Sequence, residues 1–171
     1  MTVTVETGLW QLDPTASTVA VRHKSVWGLV TVRGTFTGVT GRGEVAADGT
    51  ATGTLVIDAA TLDTRNKKRD DHLRSADFFD AAHHPEITFE VRGAERDADG
   101  AVRVDGRLTV RGVTRPQQIT ARLASADADG LTLETEFTVT REEFGVAFNQ
   151  MRMMGGPTTV TATLRFTRAA A

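Results

Sequence analysis

Cysteine is absent from this chain of 171 residues, so no disulfide staples the fold and no thiolate serves as nucleophile or metal ligand. Tyrosine is absent too, and aromatic residues make up only 6% of the chain, which argues against a base-stacking surface for nucleic acid. An excess of one charge is equally missing. The formal net charge is −2, so there is no electrostatic case for nucleic acid as a partner. No run approaches the roughly 18 apolar residues of a membrane span. The first residues, MTVTVETGLWQLD, have neither a basic n-region nor an apolar h-region. A cytoplasmic protein with no transmembrane segment is therefore expected. GxSxG, the P-loop and the dinucleotide fingerprint are missing, as are HxH and HExxH. Neither a metal nor a cofactor is expected. The length suits a single domain over residues 1–171, with enough chain to bury a core unaided.

What the chain does have is alternation. Apolar and polar residues exchange at period two in stretch after stretch, the mark of half-buried strands. Ile87, Phe89 and Val91 oppose Glu86, Thr88, Glu90 and Arg92. Leu131, Leu133, Phe137 and Val139 oppose Thr132, Glu134, Glu136 and Thr138. The pattern predicts strands at 10–12, 18–25, 51–58, 86–93, 101–110, 117–125, 131–140 and 158–167, with a long, glycine-bent one from Val32 to Ala46. Asp48-Gly49, Asp99-Gly100 and Asp129-Gly130 predict three hairpin turns at positive φ. One wet face per strand fits an antiparallel sheet, and about eight such strands make a sandwich or a closed barrel. Two segments break the pattern. Asp63 to Arg74 reads as a helix or helical crossover, and Thr140-Arg141-Glu142-Glu143 resembles a capping box opening one helical turn.

Four ordered segments then carry a resemblance: WQLDPTASTVAVRH, DDHLRSADFFDAAHHPEITF, GRLTVRGVTRPQ and REEFG. They are similar to the YceI-like family of lipocalin-like barrels associated with polyisoprenoid binding. The resemblance implies an all-β fold, an antiparallel eight-stranded barrel with one helix, enclosing an elongated apolar cavity. It implies a long-chain isoprenoid or quinone-like lipid as ligand, a carrier, sequestering or storage role rather than catalysis, and a possible homodimer. Many relatives are periplasmic. Two departures are visible. Ala16 stands before Ser17 where the family often has histidine, and the loop NQMRMMGGP from Asn149 to Pro157 is unlike the usual family sequence.

Candidate ligand contacts follow from the inward faces. Val19, Val21 and Phe36 lie early in the chain, Leu55, Ile57 and Phe89 in the middle, Leu108 and Phe137 later. Phe78, Phe144 and Phe148 join them from connecting segments. Gly34, Gly53, Gly106, Ala121 and Ala162 are small residues at inward positions. They either leave a cavity or relieve strain around a solid core. His23 shares the apolar face of Val19 and Val21, as a structural residue or as a hydrogen-bond partner for a lipid head. On a helix over 63–74, Arg65, Arg69 and His72 would share one face at i, i+4 and i+7. That face is either solvated or presents positive charge to an anionic head at the barrel mouth. Met151, Met153 and Met154, beside Gly155-Gly156, form either a lid over the lipid tail or ordinary loop packing. Two other functions remain open. One is a lipid-modifying hydrolase or isomerase using His23 with Asp13, Ser17 or Ser25. The other is a structural or stress-response protein with a filled barrel.

Overall fold

The computed structural model describes residues 7–25, 29–96, 99–144 and 157–169. Its strands are β1 (Gly8–Leu12), β2 (Thr18–Ser25), β3 (Val30–Phe36), β4 (Val39–Val45), β5 (Ala51–Asp58), β6 (Leu62–Asp63), β7 (Glu86–Arg96), β8 (Ala101–Val110), β9 (Val113–Ala126), β10 (Gly130–Val139) and β11 (Thr158–Arg168), with one helix, α1 (Lys67–Arg74). All ladders are antiparallel.

The eleven strands form eight walls. β1 and β2 lie along the same edge of β11, at Leu12↔Phe166 and Thr18↔Thr163, so they are one strand interrupted by a turn. That turn is a short 3-10 segment, Pro14–Ala16. The Asp13 carboxylate caps it by accepting from Thr15 N at 3.0 Å and Thr15 Oγ1 at 2.7 Å, which holds its pKa below the usual value. Ser17 Oγ bridges the gap in the ladder, donating to Asp13 O and accepting from Arg165 N. β3 and β4 are likewise one long strand, bent at Thr37-Gly38 as the glycine pattern predicts. The bend needs glycine, because a Cβ on Gly38 would fall 2.9 Å from Thr61 Cγ2 and 3.0 Å from Asp58 Cβ. The ring then runs β4, β5, β7, β8, β9, β10, β11 and back to β1, which closes the barrel. Closure removes sheet edges from most of the ring, the first half of β9 excepted.

The turns agree with the sequence in part. Gly49 and Gly100 take φ of 87° and 85° at the expected hairpins. The third hairpin is built differently. Gly130 is not at positive φ, and the Asp127 carboxylate holds the turn by accepting from Asp129 N at 2.9 Å and Gly130 N at 2.8 Å. A further hairpin, unsuspected from the sequence, joins β8 to β9 through Arg111 (φ 52°) and Gly112 (φ 74°). Arg111 is an unusual residue for that conformation, and its Nη1 donates to Phe78 O at 3.0 Å. β9 also begins at Val113 rather than Gln117. Pro116 does not stop it, because among the described residues this half of β9 has no ladder to β10, where a missing N–H costs little.

The helix is shorter than expected. Asp63 belongs to β6, Arg65 sits at φ 63°, and α1 starts only after Asn66, whose side chain caps Arg69 N at 3.0 Å. Arg141–Phe144 forms a single 3-10 turn, where one helical turn is expected.

Candidate functional site

The barrel is hollow. A continuous cavity of about 890 Å³ runs from the Val45 and Ala51 end of the β4–β5 hairpin to α1 and Phe78 at the other. Its wall is chiefly the inward set of the strands, and the described residues leave this space open. Of the small residues, Gly34, Gly53, Ala121 and Ala162 line the space, whereas Gly106 is covered by the Phe89 ring. The reason the space stays open is visible in one layer of the wall. Ladder pairs carry Val102 to Ala121, Thr135, Ala162 and Val19 in succession. Two alanines flanking a threonine cannot reach across the bore. The Thr135 hydroxyl is satisfied within the wall, donating to Thr120 O at 2.9 Å.

The α1 end is closed by a packed cap. Leu62 and Phe144 are each 2% exposed and Phe78 is 3% exposed. Phe79 meets Phe36 edge-on, with centroids 6.1 Å apart. Arg74 fastens the helix to the preceding segment, Nε donating to Ala60 O at 2.8 Å and Nη2 to Leu62 O at 2.9 Å. Buried Asp70 accepts from Thr64 N and Thr64 Oγ1. Arg69 donates to Thr64 from the cavity side, Nε to Oγ1 at 2.8 Å and Nη2 to the carbonyl at 2.7 Å. A buried carboxylate with this many donors is satisfied where it sits, and it ties the Thr64 segment to the helix that carries Arg69.

Most sequence candidates face the cavity. Val19, Val21, His23 and Phe36 do, as do Leu55, Ile57, Phe89, Leu108 and Phe137. Arg69, His72, Phe78 and Phe144 line it from the cap. Arg65 does not. It lies outside the helix, exposed in a left-handed turn, so the expected three-residue basic face reduces to Arg69 and His72 at i and i+3. Phe148, Met151, Met153 and Met154 lie outside the described residues. Sequence reasoning missed Arg141 as a site residue. It lines the cavity and is 8% exposed, and burial pulls its pKa below the ordinary arginine value while neighbouring Glu142 raises it. Basic residues are rarely this buried, but a lone arginine before two glutamates carries no signal of burial in sequence.

The described bonds of His23, Asp13 and Ser17 run to other groups. His23 Nδ1 lies 2.9 Å from Thr158 Oγ1, its ladder partner. At the β1–β2 break the Asp13 carboxylate accepts from Thr15, and the Ser17 hydroxyl donates to Asp13 O and accepts from Arg165 N. The Ser25 side chain lies outside the described set. His83 pairs with Asp80 at 2.9 Å on the surface, which lowers the Asp80 pKa. The His84 ring packs against Gly112. Among the described residues no helix is long and apolar enough to cross a membrane.

Known proteins share this architecture. A sequence model of the YceI-like domain matches residues 10–166. A UPF0312 protein of Vibrio parahaemolyticus is 39% identical over 75 residues, 44% of this chain and 40% of that protein. Protein YceI of Escherichia coli is 37% identical over 75 residues, 44% and 39% of the two chains. The aligned part thus spans about two fifths of these relatives. Among solved structures, BcnA of Burkholderia cenocepacia superposes with a TM-score of 0.81 at 20% identity, covering 90% of this chain and 98% of that one. A polyisoprenoid binding domain from Saccharophagus degradans, implicated in plant cell wall breakdown, gives 0.71 at 17% identity, covering 94% and 98%.

Proposed function

The chain belongs to the YceI-like domain family, and from that premise we propose that it binds a long-chain isoprenoid lipid inside its barrel, as a carrier, sequestering or storage protein rather than an enzyme. One observation carries this function: a continuous, apolar-walled cavity of about 890 Å³. The Saccharophagus degradans neighbour, described as a polyisoprenoid binding domain, supports the ligand class. A methylene takes about the room of a water molecule in the liquid, roughly 30 Å³. The cavity therefore accommodates about 30 carbons, or about six isoprene units.

Burying a methylene gives about 0.8 kcal/mol relative to water. Water is not the competitor, because a lipid of this kind otherwise rests in a bilayer. Moving its tail from bilayer to barrel gains little hydrophobic free energy. Selection then falls to tail length, to the ordering of the chain and to contacts at the head.

Native extraction followed by lipid mass spectrometry tests the assignment, together with thermal stabilisation by a length series of polyprenyl compounds. Lipid should co-purify, and stabilisation should grow with each unit up to about six and then level off. No recovered lipid and no stabilisation at any length would overturn the proposal.

A further inference from the structure

The outer side of the β2–β3 hairpin has two features that the fold does not explain. The first is apolar. Leu29 is 83% exposed and Val30 is 45% exposed, side by side where β3 begins. Val30 faces Ser25 on the last rung of the β2–β3 ladder, so the pair stands at the end of the hairpin. The other exposed large apolar residue among the described ones is Leu9, apart on β1. Single apolar residues scattered over a surface are ordinary, whereas neighbouring ones mark contact sites.

The second feature is charge. No Asp or Glu occurs between Asp13 and Glu44, and Arg22, Lys24 and Arg33 are exposed on this hairpin. Arg22 and Arg33 are ladder partners, and like charges directly opposite disfavour the pairing. Glu136 reaches Arg22 at 3.0 Å. Beside the hairpin, β6 pairs antiparallel with β3 at Phe36↔Leu62 and Thr35↔Asp63, so the chain leaves it heading toward the Val30 end. Thr64 lies against Gly34, where a Cβ would fall 2.9 Å from Thr64 Cγ2. The next residues, Arg65, Asn66, Lys67 and Lys68, are all exposed. Among the described residues, Lys24, Arg33, Arg65, Lys67 and Lys68 form no ion pair. Lys67 and Lys68 open α1, where cations oppose the helix dipole, so helix stability does not account for them. The carboxylates of this region are engaged. Asp63 accepts from Arg65 N at 2.8 Å, Asp70 is buried against Thr64, and Asp71 pairs with Arg74 at 3.3 Å.

Apolar side chains beside unbalanced cations suit an anionic bilayer. The apolar groups enter the boundary between heads and tails. Each lysine or arginine near the negative surface strengthens binding about fivefold. A stable protein–protein interface buries about 800 Å² on each partner, and two apolar side chains are too few for its core. Nucleic acid would leave Leu29 and Val30 in water.

We propose that Leu29 and Val30, together with Lys24, Arg33, Arg65, Lys67 and Lys68, form a docking surface for an anionic lipid bilayer. The same elements turn other residues to the bore, since Val21 of β2, Val32 of β3 and Leu73 of α1 line the cavity. None of the seven docking residues lines it. The surface therefore goes beyond the ligand proposed above and does not rest on it.

Co-sedimentation of the intact chain with vesicles tests the surface. One preparation is phosphatidylcholine, the other an equal mixture of phosphatidylcholine and phosphatidylglycerol. A chain that only takes up a lipid molecule stays in the supernatant, so docking and ligand binding are read separately. Wild type should sediment with the mixed vesicles and not with phosphatidylcholine. Salt at about 1 M, which shortens the screening length to about 3 Å, should release it. Lys67→Glu with Lys68→Glu should weaken binding about a hundredfold or more. Its melting temperature should hold or rise, because carboxylates suit the start of a helix. Leu29→Ser should weaken binding about tenfold with melting unchanged. Either variant binding like wild type overturns the proposal. Wild type that sediments with neither preparation, or equally with both, overturns it too and leaves ligand binding in the bore untouched. A short DNA duplex that binds as tightly as the mixed vesicles would mark a general polyanion surface and overturn the bilayer assignment. Should the double lysine variant fail to fold, Leu29→Ser decides together with Lys24→Gln and Arg33→Gln combined, which should weaken binding about twentyfold.

Discussion

Plugging the bore is the sharpest test of a hollow barrel. Ala121 and Ala162 are 6% and 5% exposed, line the cavity, and flank Thr135 in the thin layer of the wall. Ala121→Phe and Ala162→Phe, singly and together, each place a ring in the space. Phenylalanine exceeds alanine by on the order of 100 Å³, a small part of the 890 Å³ available. An eight-stranded barrel is only about wide enough for side chains to fill, however, so two rings in one layer close it. The consequences have opposite signs. Without lipid, each ring moves from water into an apolar void and contributes about 1.5–3 kcal/mol, less the strain of fitting. Melting should hold or rise, at roughly 2–4 °C per kcal/mol for a chain of this size. With lipid at about 100 times Kd, wild type gains about 2.7 kcal/mol, a rise of about 5–10 °C, and the double variant should lose it. Calorimetry with and without a polyprenyl lipid reads both effects. A double variant that melts many degrees lower without lipid would mean that the wall was already full. One that keeps the whole lipid-dependent rise would mean that the tail does not pass this layer. Either result refutes the reasoning.

Two further outcomes follow from local structure. Asn66→Ala removes the cap of α1 and should cost about 1 kcal/mol, lowering melting by about 2–4 °C, and amide exchange should quicken over residues 67–70, from which Arg69 reaches the cavity. Asp127 is held below its ordinary value of 3.8 chiefly by the N–H groups of Asp129 and Gly130. A depressed carboxylate contributes stability that is present above the unfolded value and is lost as pH falls through the lower folded one. Acid unfolding of wild type should therefore carry a contribution below about pH 4 that Asp127→Asn lacks, since the amide oxygen still accepts but does not titrate there.

The strands were legible because each has one wet face. Ala51–Asp58 and Ala101–Val110 end where the alternation ends. What escaped the sequence was held by distant contacts. Arg111 is not a turn residue by composition, yet it turns, with its guanidinium bonded to the carbonyl of Phe78. The strand expected from Gln117 begins at Val113, and Pro116 is tolerated within it because it lies where β9 has no β10 ladder to lose among the described residues. The basic face of the crossover was half right. The spacing of Arg69 and His72 survives because both lie on α1, while Asn66 as cap expels Arg65.

The cavity poses a subtler problem. Alternation says which side chains point inward and nothing about whether they meet. That depends on how many strands share the ring and on the size of the residues at each level. Val19 and Phe36 are inward and bulky, and alone they would argue for a solid core. The deciding residues are Ala121, Thr135 and Ala162, brought side by side only by the ladders of β9, β10 and β11. Arg141 is hidden for the same reason. In sequence it opens an acidic, solvated-looking turn. In space its guanidinium lies over Phe78, whose ring His72 also meets, and the turn that follows sinks it into the wall. Hollowness and buried charge therefore come from which residues the closed ring makes neighbours rather than from hydrophobicity along the chain.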